Sequence, residues 1–98
     1  MKTISAILRA KPGAEATLRA ALLDVAAHVA DNEPDTVGFF VSQDAGDPAR
    51  FTTYERFVDQ AAMDRHNGSA AVARFFAIAQ PILDGEVVLV TADEISER

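Results

Sequence analysis

Residues 51–69, Phe51-Thr-Thr-Tyr-Glu-Arg-Phe-Val-Asp-Gln-Ala-Ala-Met-Asp-Arg-His-Asn-Gly-Ser69, change their hydrophobic period part-way along. That change constrains the fold more than any other feature of the chain. Phe51 to Phe57 is rich in aromatic and β-branched residues, which predicts a strand. Strand side chains alternate, so Phe51, Thr53, Glu55 and Phe57 share one face while Thr52, Tyr54 and Arg56 share the other. Asp59 then suits a helix N-cap, and Ala62, Met63 and His66 recur at helical spacing as far as the natural stop Asn67-Gly68. Glu55 and His66 thus each stand among apolar neighbours on the face expected to point inward. Burying such groups is costly unless they are paired, hydrated or used.

The rest of the chain fits elements around this stretch. Thr3 to Arg9 alternates Ile4, Ala6 and Leu8 against Thr3, Ser5, Ile7 and Arg9, the pattern of a strand with one well-buried face. Lys11-Pro12-Gly13 ends it, since proline cannot feed a ladder and glycine permits the turn. From Ala14 to about Asp31, Leu18, Leu22, Val25 and Val29 form the stripe of an amphipathic helix, with His28 at its edge as a boundary residue. Asp31 to Asp35 breaks that helix with polar residues and Pro34. Val37 to Gln43 reads as a second strand, with Phe39 and Val41 facing as Val37 does and Gly38 marking a bulge or a close approach. A turn at Asp44 to Pro48 returns the chain antiparallel into the Phe51 strand. Ser69 caps a further helix to about Gln80, where Val72, Phe75, Phe76 and Ala79 keep helical spacing. Glu86 to Ala92 is nearly continuously apolar, which predicts a strand covered on both faces.

The order strand, helix, strand, strand, helix pair, strand is the split βαβ pattern of an α+β, ferredoxin-like domain. It implies a four-stranded antiparallel sheet with helices on one face. Residues 1–98 make one domain, too short for two cores. The sheet offers Phe and Val on both sides, and an uncovered apolar face of that size favours association. Two sheets packed face to face would form a homodimer.

Composition removes several functions. A net charge of −6 with scattered Lys and Arg argues against nucleic acid or an anionic membrane as partner. With no cysteine there is neither a thiolate nucleophile nor a cysteine-held metal. The two histidines form no recognisable metal motif, and no metal site is expected. No glycine loop suits a phosphate, and no nucleophile elbow occurs. The N-terminus lacks a signal-peptide core and no apolar run approaches about 20 residues, so a soluble cytoplasmic protein is expected.

The aromatic-Glu-Arg-aromatic strand, its acidic cap, the Ala-rich turn, His66 and Ser69 together resemble the core signature of the antibiotic biosynthesis monooxygenase (ABM) family. Lys11-Pro12-Gly13, Asn32-Glu33-Pro34, Phe39 to Asp44 and Asp47-Pro48 extend the resemblance over most of the chain. It implies a dimeric α+β barrel, a small-molecule substrate and, for the oxygenase members, no cofactor. Such enzymes deprotonate an electron-rich phenol, quinol or anthrone, whose anion reduces oxygen directly. Several of those members place a tryptophan in the pocket, and this chain has none. The haem-degrading members use a histidine on the last helix. Seven residues on from Ser69 this chain has Phe76, which leaves haem without that ligand.

Glu55 and His66 are the candidate catalytic residues, and two readings stay open. In one, a carboxylate holds an imidazole and poises it as a base in an apolar pocket. In the other, the pair only ties strand to helix, because buried polar groups need partners whether or not they react. Phe39, Tyr54, Met63, Phe75 and Phe76 are the candidate substrate-binding residues. The functional expectation is a cofactor-independent monooxygenase of a small aromatic, quinol or anthrone-like molecule. The alternatives are a proton-transfer isomerase or lyase, and a dimeric ligand-binding domain without turnover. With His66 as base and Glu55 as its orienter, His66→Ala should harm activity more than Glu55→Gln.

Overall fold

The computed structural model describes all 98 residues. The elements follow the expected order: β1 (Lys2–Arg9), α1 (Glu15–Asn32), β2 (Thr36–Gln43), β3 (Arg50–Phe57), α2 (Gln60–Asn67), α3 (Ala70–Ala79) and β4 (Val88–Asp93), with a 3-10 turn at Gln80–Ile82. The strands form one sheet in the order β2-β3-β1-β4, every neighbouring pair antiparallel. This is the α+β, ferredoxin-like arrangement.

Parity and capping explain the local structure. Ile4, Ala6 and Leu8 of β1 lie opposite Glu55, Thr53 and Phe51 of β3, so the inward rows of both strands coincide. Asp59 caps α2 by accepting from the Ala62 amide at 2.9 Å, and Ser69 caps α3 by accepting from the Val72 amide at 3.2 Å. Each cap satisfies one of the amides that a helix start leaves free. The α1 stripe of Leu18, Leu22, Val25 and Val29 meets Phe51, Phe75 and Leu8 in the main core. A smaller cluster gathers Ile4, Phe57, Ala62 and Met63 at the α2 end. Along β3, Phe51 belongs to the first cluster and Phe57 to the second; Thr53 and Glu55 lie between them.

Two expectations need correction. Val37 does not face as Phe39 does, because a bulge between Thr36 and Gly38 inserts it as an extra residue and leaves it exposed. At Gly38 a β-carbon would come within 2.8 Å of the Phe40 ring, so the close approach is real as well. The β4 strand is not covered on both faces: Val88, Leu89 and Val90 are each more than half exposed in the single chain. Its continuous apolar pattern is that of an edge strand whose two faces both remain open.

No helix covers the sheet face that carries Phe40, Tyr54, Ile7, Val88 and Val90. Phe40 stacks on Tyr54 with ring centres 6.5 Å apart. Arg56 grips Glu94 through two hydrogen bonds of 2.9 and 2.7 Å, and the Tyr54 hydroxyl donates to the same carboxylate at 3.0 Å. The tail after β4 is thereby fastened at Glu94, which had no place in the sequence pattern.

Candidate active site

Pro34 disfavours a helical conformation at the residue before it, so α1 ends with Glu33 as its C-terminal cap. Glu33 therefore turns out of the helix at the end where the macrodipole repels a carboxylate. His66, on the inward face of α2, meets it there. Its Nδ1 lies 2.8 Å from Glu33 Oε1, and its Nε2 lies 3.3 Å from Glu55 Oε1. The ring is only 3% exposed and Glu55 only 6%. One imidazole thus bridges the end of α1 to the middle of β3.

Further contacts fix the two carboxylates. The Thr53 hydroxyl donates to Glu55 Oε2 at 2.8 Å, and the Thr36 hydroxyl donates to Glu33 Oε1 at 2.8 Å. His28 Nε2 stands 3.1 Å from Glu33 Oε2, yet that buried oxygen receives no aligned hydrogen bond. Phe39 and Phe57 flank the His66 ring with centres at 5.5 and 5.3 Å. Burial pushes the His66 pKa down, but hydrogen bonds and charge from Glu55 and Glu33 raise it further, and the net shift is upward. The two carboxylates therefore favour the charged form of the ring.

A cavity of about 90 Å³ opens beside this bridge between the sheet and the helices. Glu55, His66 and Thr53 form its polar end; Phe39, Phe75 and Phe76 are its aromatic walls, with Leu89 and Val87 on the β4 side. Of the residues singled out from sequence, five therefore share one cavity: Glu55, His66, Phe39, Phe75 and Phe76. Tyr54 and Met63 do not. Tyr54 follows the parity of Arg56 onto the opposite sheet face, where it bonds Glu94. Met63 is 2% exposed and packs in the smaller core cluster, one turn before His66.

Sequence reasoning missed Glu33, the closer of the two carboxylates to His66. Besides its place in the Asn32-Glu33-Pro34 stretch, its signal was position: an acidic residue at a helix C-terminus, just before a proline, is electrostatically out of place unless a cation meets it. Thr53 was visible only as a member of the inward row. Across the chain no three His, Asp and Glu side chains converge as a metal-holding group, and no helix is long and apolar enough to cross a membrane.

A family model described as antibiotic biosynthesis monooxygenase matches residues 1–78. Among solved structures, one described as an antibiotic biosynthesis monooxygenase superposes with a TM-score of 0.88 at 21% identity, covering 98% of this chain and 100% of that one. A protein from Mycobacterium tuberculosis gives 0.89 at 21% identity, covering 98% and 96%. Another, from Pseudomonas aeruginosa, gives 0.86 at 24% identity, covering 97% and 94%. Identities this low speak to the fold alone. No curated protein matches the sequence.

Proposed function

Because the chain belongs to the antibiotic biosynthesis monooxygenase family, we propose that it is a cofactor-independent monooxygenase of a small hydroxylated aromatic, working as a homodimer. The observation that supports this reading is the buried Glu55–His66–Glu33 bridge at the polar end of an otherwise apolar cavity. A phenol or quinol seated there would place its hydroxyl against Glu55, whose two oxygens accept only one contact each from His66 and Thr53. A carboxylate has about four lone-pair sites, so Glu55 keeps room for the substrate proton.

The division of labour follows from occupancy. Both His66 nitrogens are already committed to carboxylates, which makes the ring a poor acceptor and a good fixed cation. Glu55 takes the proton; His66 holds Glu55 in place, and Glu33 holds His66. The deprotonated ring is then electron-rich enough to reduce dioxygen itself. For a quinol, one oxygen atom enters at a ring C–H and the other leaves as water. The substrate gives up four electrons and becomes a hydroxyquinone, which balances both atoms and charge.

Oxygen uptake tests the reading. With hydroquinones supplied, consumption of one dioxygen per substrate and release of the hydroxyquinone are the expected results. Substrate turnover that proceeds equally well without oxygen would replace this reading with an isomerase or lyase. Binding without any turnover would leave a ligand-binding domain.

The homodimer is supported by the open sheet face, where Phe40, Val88 and Val90 are each over half exposed. Exposed apolar side chains gathered on an open sheet face favour burial against a second copy. Sedimentation at micromolar concentration is expected to give a particle of twice the 10.5 kDa chain. A stable monomer would refute this assembly.

A further inference from the structure

We propose that the cavity selects an uncharged, single-ring phenol or dihydroxybenzene and that Phe76 sets the size limit. This rests on the reading of Glu55 as the acceptor of a substrate proton, and it narrows the substrate class by charge and by ring count.

The charge argument starts from the donors. Both ring nitrogens of His66 face carboxylates, and the Thr53 hydroxyl already donates to Glu55. No Lys or Arg lines the cavity. The neutral amide of Asn67 is at its rim, exposed to solvent. The buried end therefore presents the acceptor oxygens of Glu55, with the Glu33 carboxylate standing behind His66 outside the lining. A ligand that brings a hydroxyl proton finds a partner there. A ligand that brings a carboxylate or a phosphate meets like charge in a site of low dielectric, where repulsion is strong. The −6 charge of the whole chain opposes such anions at longer range as well.

The size argument starts from the walls. A cavity of roughly 150 Å³ receives benzene in an engineered apolar core, whereas this one measures about 90 Å³. One ring enters only if a wall yields slightly. Phe76 is the wall able to yield, because it is 48% exposed and rests against Phe75 edge-on at 5.2 Å. Ile4 and Leu22 belong to the packed interior, with the partly buried Phe39 packed against it, and none of them retreats without opening a void. A second fused ring has no such space. Phe76, and Leu89 across the mouth, are thus the specificity-determining residues.

Calorimetric titration without oxygen tests both parts, using hydroquinone, 4-hydroxybenzoate and 1,4-dihydroxynaphthalene as probes at pH 7. Hydroquinone is expected to bind at least about tenfold more tightly than either of the others. Phe76→Ala is expected to improve binding of the naphthalene diol by about tenfold or more relative to hydroquinone, as truncating a contact wall should. Leu89→Ala, at another exposed position of the mouth, is expected to act in the same direction. Equal binding of 4-hydroxybenzoate would overturn the charge rule. Equal binding of the naphthalene diol by the unmodified protein, or no gain in either variant, would overturn the size rule. If the ranking holds but bound hydroquinone consumes no oxygen, the selectivity stands and the monooxygenase reading falls.

Discussion

His66→Ala is expected to cost about 3–5 kcal/mol of folding stability, the usual penalty for stripping one partner from a buried ion pair. The cost arises because Glu33 and Glu55 would then face the same vacated space with no cation between them. A domain of this length commands only about 5–15 kcal/mol in total, so urea unfolding at pH 7 should show the midpoint collapse. Adding Glu33→Gln to the same variant removes one of the stranded charges and should recover part of the loss. A single-variant cost below about 1 kcal/mol, within the range of an exposed pair, would show that the bridge is not a structural necessity.

The same bridge gives stability a pH dependence. Burial lowers the His66 pKa, but the hydrogen bonds and charges of Glu55 and Glu33 outweigh it, so the folded value lies above the ordinary 6.5. Between those two values the folded chain keeps a proton that the unfolded chain has released, and stability falls as pH rises. The contribution is complete below about pH 6.5 and is lost as pH climbs through the raised folded value. Unfolding followed across that window should show this alkaline decline in the natural chain and none of it in His66→Ala.

Glu55→Gln is expected to reduce oxygen consumption by about 10²-fold or more, the usual contribution of a general base. The amide can still accept from Thr53 and fill the same volume, but it cannot take a proton from a phenol. Glu33→Gln should cost less, because Glu55 stays in place and only the hold on His66 weakens. This ordering differs from the catalytic reading of the sequence, in which the imidazole was the base and Glu55 its orienter. The reason is geometric: both ring nitrogens have carboxylates in front of them. Rates and melting temperatures must be measured on the same preparations. Glu55→Gln that folds and turns over at more than about a tenth of the natural rate would remove Glu55 from the chemistry.

Strand and helix periods carried most of the fold. Alternation in β1 and β3 fixes which side chains point at the helices, and it is a local property of the chain. For the same reason Asp59 and Ser69 were recognisable as caps, and Glu55 and His66 as inward-facing ionisable groups. Parity separates Tyr54 from Glu55, so its place on the far face follows from the pattern, whereas its bond to Glu94 does not. Met63 shows where local reasoning ends. It shares an α2 face with His66, but one helical turn carries it to a different cluster.

What only the tertiary structure decided concerns neighbours rather than directions. Glu33 is 33 positions from His66, and no local rule brings a helix C-terminus against a second helix two strands later. The chain has to close its sheet before that contact exists. The exposure of β4 is likewise set by its place at the sheet edge, because an apolar run reports a preference for burial and not whether a cover is supplied. Sequence therefore determined that a carboxylate and an imidazole would face inward. Tertiary packing supplied the second carboxylate, and with it part of the upward pull on the ring's pKa, because electrostatic partners are chosen by distance in space and not by distance along the chain.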